Sequence, residues 1–272
     1  MNSTNNSIAK AMLVYSPCPT FRKKSRQPDF KGWELPEATI RFLKREPNAF
    51  LFGAIFDRMV PYEKAWNTPR LLRDRLGHLD VSRISRMPVV DLAKMIGHSS
   101  SQIALVRFPN TMSRCIISAS KRLVSKYRGD ASNIWEKPPE VSSVLRKLQE
   151  FEGISQKIAN MTVRLLVTYY GVALKGSNNI DVAVDRHVAR VFLRSGLVSP
   201  SSAGHMQRIA SMRESIIERA RELVPKYPGA LDDPAFEIGR DWCTAEEAYC
   251  DYPGEPCPLS KVCRKLTRFG VH

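Results

Sequence analysis

The sequence predicts an all-α protein with two helical lobes. Apolar residues recur at helical spacing along most of the chain, and the alternating patterns typical of strands are nearly absent. Ile116, Ala119, Leu123 and Tyr127, for example, fall on one face of a helix. Because 272 residues suffice for one large domain or two modest ones, we expect two lobes.

The composition indicates a polyanionic partner. The chain has 43% apolar and 25% charged residues, which is ordinary for a globular protein, but 42 Lys and Arg against 27 Asp and Glu give a net charge of +15. The basic residues are scattered over helices and loops, which favours nucleic acid over a membrane surface. A well-solvated basic surface is the alternative. No stretch is apolar enough to span a bilayer, so we expect no membrane partner.

Residues 1–32 have little periodic pattern. They carry six basic residues and one acid, which favours a disordered basic tail that tracks DNA. An organellar presequence is the alternative. We expect the ordered part to begin near Trp33, with a helix that Pro36 opens and Pro47 closes.

The stretch FEGISQKIA, residues 151–159, predicts a hairpin between two helices. Leu148 belongs to the first helix, and Gly153 supplies a tight turn. A second helix begins near Ser155 and carries Lys157 in its first turn. The free N–H groups at the start of that second helix form an anion site suited to a nucleic-acid phosphate.

A second stretch follows at VDRHVARV, residues 184–191. An alternating apolar segment precedes Asp185, and an amphipathic helical run follows it. On local sequence alone, Asp185 is an N-cap for that helix. We expect Asp181, four residues earlier, to be polar surface or a local cap.

Four cysteines lie close together near the end of the chain. Cys243, Cys250, Cys257 and Cys263 have the spacing C-x6-C-x6-C-x5-C. We interpret them as metal ligands, because a non-secreted chain of this size disfavours disulfides. Structural zinc usually uses close C-x2-C pairs, so a [4Fe-4S] cluster is favoured and zinc is the alternative. The separate thiols, Cys18 and Cys115, are expected to be incidental.

Together these features resemble the helix-hairpin-helix base-excision DNA glycosylases typified by endonuclease III. FEGISQKIA is similar to that family's LPGVGRKTA hairpin, and VDRHVARV to its VDTHVxRV segment. The family's cysteine pattern is C-x6-C-x2-C-x5-C, preceded by a G-R pair that this chain has as Gly239 and Arg240. The middle spacing departs from the family, with six residues in place of two.

The resemblance implies a fold and a division of the chain. A six-helix barrel would span residues 47–178, with the helix-hairpin-helix at about 145–165. Residues 33–46 and 179–272 would form a second helical domain, with its iron-sulfur loop at 243–263. The hairpin and the aspartate would flank a DNA-binding cleft between the two.

The resemblance also implies a chemistry. Lys157 matches the family's catalytic lysine, whose amine attacks the sugar and forms a Schiff base, after which elimination cuts the strand. Asp185 matches the carboxylate that stabilises positive charge on the sugar. Gly153, Ser155 and Gln156 would bind DNA, and the alternative role for Lys157 is a phosphate contact only.

In the family, the residue that fills the gap left by a flipped base is often glutamine. The matching loop of this chain has Arg58 and Met59, which could pair with the orphaned base and act as a wedge. A surface arginine and a core methionine are the alternative. Ser155 stands where the family often has a second glycine.

The resemblance therefore implies a bifunctional DNA glycosylase and AP lyase that acts in DNA repair. Its expected partner is double-stranded DNA with a damaged or modified base, and we expect that base to be a pyrimidine. We expect a monomer located in the cytoplasm or nucleoid, or in the nucleus or an organelle of a eukaryote. The alternative is a non-catalytic or monofunctional DNA-binding protein with the same helix-hairpin-helix.

Overall fold

A computed structural model of the protein describes residues 3–15, 35–58, 60–98, 103–136, 139–201, 204–253 and 256–272. Within these ranges the regular secondary structure is helical except for two paired two-residue strands, β1 (Met206–Gln207) and β2 (Gly270–Val271). The all-α prediction is confirmed. The described helices include none that is long and apolar enough to cross a membrane.

The α-helices in the described residues are, in chain order, α1 (Ser3–Tyr15), α2 (Glu37–Arg45), α3 (Pro47–Phe56), α4 (Tyr62–Leu76), α5 (Val81–Ile84), α6 (Val89–Ile96), α7 (Pro109–Lys126), α8 (Val141–Gln149), α9 (Gln156–Tyr169), α10 (Arg186–Ser195), α11 (Ile209–Leu223) and α12 (Asp232–Asp241). Short 3-10 helices lie at Ala131–Ile134, Ser177–Asn179 and Pro228–Leu231. The chain divides into two compact units, one of Pro28–Lys175 and one of Met1–Gln27 with Gly176–His272.

The unit Pro28–Lys175 is built around α3, whose sequence PNAFLFGAIF is apolar on every face. Such a helix has to be covered all round, and α2, α4, α7 and α9 all pack against it. The ring centroid of Phe50 lies 5.2 Å from that of Trp66, 6.0 Å from that of Trp135 and 4.5 Å from that of Tyr170. This aromatic cluster anchors α3 in the unit.

The helix α2 lies in a different unit from the one expected. The sequence placed residues 33–46 with the cysteine-containing domain, whereas α2 packs on α3 and α4. Its apolar face is buried there, and the Thr39 hydroxyl donates to Asn67 Oδ1 on α4. Pro47 ends α2 as expected, but it is also the first residue of α3, a position where proline is tolerated. The chain therefore passes from α2 into α3 without separating the two helices.

The other unit contains α1, α10, α11, α12 and the cysteine loop. Its helices α10 and α12 pack together and approach closely at Gly239. A Cβ atom at Gly239 would lie 2.6 Å from the carbonyl oxygen of His187, so any other residue would force a backbone shift. This contact fixes the helix that follows Asp185 against the helix that leads to Cys243.

The N-terminal segment differs from the expected disordered tail. Residues 3–15 form α1, which contacts α11, α12 and the Pro228–Leu231 turn. Its buried residues lie on one stripe and are Asn5, Ile8, Ala9 and Met12. The sequence pattern missed this helix because the stripe is narrow and lies among serine and asparagine residues. Residues 1–2 and 16–34, which include most of the expected tail, lie outside the described residues.

We predict that Ile8→Ala lowers the free energy of unfolding by about 2–4 kcal/mol, because it leaves a cavity at a fully buried position. Val14→Ala, on the same helix but 77% exposed, should change that free energy by less than about 0.5 kcal/mol. Urea unfolding measures both variants. Equal and negligible effects would show that α1 is not part of the folded unit.

Candidate functional site

The first part of the site is the hairpin between α8 and α9. Phe151 donates its N–H to Leu148 O, and Ile154 donates to Phe151 O, both at 3.1 Å. Gly153 has a φ of +96°, a conformation that residues with side chains rarely adopt. A Cβ atom there would also lie 3.3 Å from the sulfur of Cys115. The turn therefore favours glycine on both grounds.

The start of α9 presents Lys157. Ser155 is the N-cap residue, and its hydroxyl accepts from the N–H of Ile158 at 3.4 Å. Gln156 and Lys157 are the first two helical residues, a position where backbone N–H groups have no partner within the helix. Lys157 is half-buried, whereas Ile154 and Ile158 are buried. The Lys157 amine is thus carried on the capped first turn of α9, and the apolar side chains of Ile154 and Ile158 anchor this turn in the protein interior.

Arg58 lies close to the hairpin. Burial raises the pKa of the Cys115 thiol, the negative charge of Glu152 raises it further, and Arg58 lowers it. Cys115 packs against Gly153, so the negative charge of Glu152 and the positive charge of Arg58 both act near the hairpin turn. Arg58 is exposed, as expected of a residue that contacts a ligand or solvent. Met59 lies outside the described residues.

Asp185 is the N-cap of α10, as its local sequence predicted. Its Oδ1 accepts from the N–H groups of His187 at 2.8 Å and Val188 at 2.9 Å. No hydrogen bond to Oδ2 comes from the described part of the chain, and the side chain is partly exposed. One carboxylate oxygen therefore fixes Asp185 while the other is available to a ligand.

Asp181 does not lie on the surface, so that expectation was wrong. The residue is buried, and its two carboxylate oxygens accept from Nε and Nη2 of Arg221, both at 2.8 Å. The hydrogen bonds and charge of Asp181 raise the pKa of Arg221. This pair joins the segment before Asp185 to α11, a long-range contact that no local sequence pattern indicates.

The four clustered cysteines line one cavity, together with apolar side chains from α10, α12 and the cysteine loop itself. All four are free thiols. Burial raises the pKa of Cys250, Cys257 and Cys263, to about 11 for Cys257, and the neighbouring cysteines raise each value further. Thiols whose pKa values are raised in this way lose their protons only when a cation is bound among them.

Two buried arginines of α10 hold the start of the cysteine loop. Arg190 donates to the carbonyl oxygens of Gly239 and Cys243. Arg194 donates to Thr244 O at 2.7 Å and contacts the sulfur of Cys243 at 3.7 Å. Positive charge and N–H donors beside the sulfur would stabilise a thiolate, so this part of the loop fits an anionic centre with four thiolate ligands.

The ligand geometry of a metal centre is not formed by the free thiols. Within the described ranges, no group of three or more His, Cys, Asp or Glu side chains is arranged to hold a metal ion. The backbone N–H of Lys265 donates to the sulfur of Cys263 at 3.2 Å, which is a contact suited to a ligating sulfur. Residues 254–255 of the lengthened middle spacing lie outside those ranges.

The two remaining cysteines stand apart from this loop in the sequence. Cys115 is a buried free thiol of α7, as expected of an incidental cysteine. Cys18 is not among the described residues.

The two candidate catalytic residues belong to different units. Lys157 lies in the unit Pro28–Lys175, and Asp185 lies in the unit that contains both chain ends. Short motifs in the sequence pointed to both. They gave no sign of Arg194 and Asp232, whose partners Thr244 and Ala183 lie about 50 positions away in the sequence. Arg190 belongs to the VDRHVARV motif, but the motif did not indicate its contacts with Gly239 and Cys243.

Comparison with solved structures identifies the fold. A trapped covalent intermediate of endonuclease III with DNA, in an estranged-adenine complex, matches with a TM-score of 0.62 at 16% identity, over 98% of this chain and 99% of that one. A non-covalent endonuclease III–DNA complex matches with a TM-score of 0.57 at 18% identity, over 90% of this chain and 98% of that one.

A thermostable thymine-DNA glycosylase matches with a TM-score of 0.58 at 14% identity, over 97% of both chains. No protein-family model and no curated protein matches the sequence. The chain therefore has the fold of the helix-hairpin-helix base-excision glycosylases. This confirms the fold that the sequence resemblance implied.

We predict that Asp185→Ala lowers the free energy of unfolding by about 1 kcal/mol, because two N–H groups of α10 lose their acceptor. Asp185→Asn should change it by only a few tenths of a kcal/mol, since asparagine is an equally good N-cap. Urea unfolding of the two variants tests the cap. An equal loss in both would show that the charge, and not the cap, stabilises the helix.

Proposed function

We propose that the protein is a bifunctional DNA glycosylase that removes a damaged or modified base and then cleaves the abasic site. The observation that carries this proposal is the pair of anchored groups, Lys157 on the capped first turn of α9 and Asp185 at the start of α10. The shared fold supports it, because endonuclease III forms a trapped covalent intermediate with DNA.

The hairpin would hold the DNA backbone. The N–H groups of Gln156 and Lys157 and the positive end of the α9 dipole favour a phosphate oxygen. Gly153 keeps this turn free of a side chain that would hinder close approach, and the Ser155 hydroxyl lies beside it. A net charge of +15 would draw the duplex to the protein over a longer range.

Lys157 would supply the nucleophile. After it loses a proton, its amine forms a bond to C1′ of the deoxyribose as the bond between C1′ and the base breaks, and the base leaves with that electron pair and takes up a proton. Loss of the amine proton and protonation of the ring oxygen then open the sugar to a Schiff base. Removal of a 2′ proton and breakage of the 3′ C–O bond cut the strand.

Asp185 would stabilise the charge that this reaction creates. Positive charge develops on the sugar as the base departs, and a fixed carboxylate oxygen nearby lowers the energy of that state. Oδ1 is held by the N–H groups of His187 and Val188, so Oδ2 would remain available to the sugar. A base reaches such a site only when it is flipped out of the duplex.

Arg58 and Met59 are the proposed contacts to the strand opposite the flipped base. An exposed arginine beside the hairpin can bind the orphaned base or a phosphate. We infer that the substrate base is a damaged or modified pyrimidine and that the protein acts as a monomer.

Borohydride trapping tests the lyase chemistry. We predict that the protein forms a stable covalent adduct with duplexes that contain single damaged pyrimidines, because borohydride reduces the Schiff base at Lys157. Lys157→Gln should abolish the adduct. Lys94→Gln is the matched control, since it removes the same charge from a lysine 74% exposed on α6. An adduct that persists in Lys157→Gln would place the nucleophile elsewhere.

The cysteine loop is the proposed site of a [4Fe-4S] cluster. Cys243, Cys250, Cys257 and Cys263 would be its ligands. Their four thiols line one cavity, which supports the proposal, and binding would have to draw them together into ligand geometry. When bound, the cluster supplies a covalent cross-link that ties the loop to the end of α12. Zinc bound by the same thiolates is the alternative.

We expect the purified protein to be brown, with absorbance at about 400 nm from thiolate-to-iron charge transfer. Cys257→Ser should lose both the absorbance and the bound iron, because it removes a ligand. Cys115→Ser, a buried cysteine in the other unit, should keep them. Elemental analysis distinguishes the metals, and a colourless protein loaded with zinc would contradict the cluster.

A further inference from the structure

We propose that Asp232 is a positioning residue for Asp185, and that its buried carboxylate fixes the extended segment that leads to this candidate catalytic group. The inference rests on the proposed function, because it assigns a role through Asp185. It concerns residues 180–184, which have no regular secondary structure but are all buried. Buried backbone of this kind needs hydrogen-bond partners from elsewhere in the protein.

Hydrogen bonds to later parts of its own unit hold the segment in place. The N–H of Gly229 donates to Ile180 O at 2.8 Å. Arg221 donates two hydrogen bonds to the Asp181 carboxylate. Asp232 is a further anchor, because its Oδ1 accepts from the N–H of Ala183 at 3.0 Å.

Of these anchors, Asp232 binds closest to Asp185 in the sequence. Ala183 lies two residues before Asp185, whereas Asp181 lies four before it. Asp232 is 4% exposed, so its hydrogen bond is shielded from water, whereas Arg221 keeps about half of its side chain in solvent. A charged acceptor makes a stronger bond than a neutral one, and more so away from water.

The position of Asp232 in the fold makes its carboxylate a stable anchor. It is the first residue of α12, where the helix dipole favours a negative charge. The same helix packs on α10, which Asp185 caps. Asp232 therefore ties the segment before Asp185 to the helix that also supports the segment after it.

Loss of this anchor should affect base excision and abasic-site chemistry differently. Excision develops charge on the sugar and depends on where the Asp185 oxygen lies, and a misplacement of about 1 Å can cost ~100-fold in rate. A preformed abasic site has no bond to a base left to break. Schiff-base formation by Lys157 at such a site therefore does not require the same placement of Asp185.

The experiment compares Asp232→Ala with Asp233→Ala in the full-length protein. Asp233 is the next residue in the first turn of α12, so Asp233→Ala removes the same negative charge from the N-terminal end of the same helix. We expect Asp232→Ala to lower single-turnover base excision by about 10- to 100-fold. Borohydride trapping at a preformed abasic site should stay within about 2-fold, since a factor of 2 is less than ~0.5 kcal/mol.

Asp232→Asn, which keeps an acceptor oxygen, should restore most of the excision, and Asp233→Ala should keep it. Equal losses of excision and trapping in Asp232→Ala, or unchanged excision, would overturn the proposal. If Asp232→Ala does not fold, Asp232→Glu has to show the same reduced excision with retained trapping, because it keeps the charge but displaces the carboxylate oxygens.

Hydrogen exchange gives a readout that does not depend on activity. The amides of Ala183, His187 and Val188 should exchange faster in Asp232→Ala than in Asp233→Ala, because the N–H of Ala183 donates to the Asp232 carboxylate. Unchanged exchange would overturn the anchoring. A wild-type protein that neither excises bases nor forms an adduct would instead overturn the proposed function. The exchange result would still test whether Asp232 anchors the segment.

Discussion

The close packing of α10 on α12 is the constraint on which the candidate site depends. At Gly239 a Cβ atom would lie 2.6 Å from the backbone of α10, so the two helices meet only because this position has no side chain. One end of that pair carries Asp185 and the other leads into the cysteine loop. The candidate catalytic carboxylate and the candidate metal centre thus share one rigid support.

Buried polar groups, and not apolar contacts alone, set the geometry around that support. Arg190 and Arg194 satisfy carbonyl groups at the start of the cysteine loop, and Asp232 satisfies the N–H of Ala183. Each of these groups would be costly to bury without its partner. Such interactions specify one arrangement of loop and helix, whereas apolar packing tolerates small shifts.

The sequence could predict those parts of the fold and site that depend on interactions between residues close together in the chain. The hairpin was predictable because glycine is needed at a positive φ and serine is a good N-cap, and both effects act within a few residues. The cap at Asp185 was predictable for the same reason. The cysteine spacing marked a candidate ligand set because all four thiols lie within one short stretch of chain. Long-range contacts account for the rest, since the burial of Asp181 depends on Arg221 and the placement of α2 depends on α3 and α4.

The position of α1 has a consequence for the order of folding. Its partners α11 and α12 lie about 200 residues later in the chain, whereas the unit Pro28–Lys175 is continuous in sequence. On a ribosome the continuous unit can fold as soon as it has emerged. The helix α1 is made before that unit but can find its place only after α11 and α12 have been made, so it has to remain unaggregated until then.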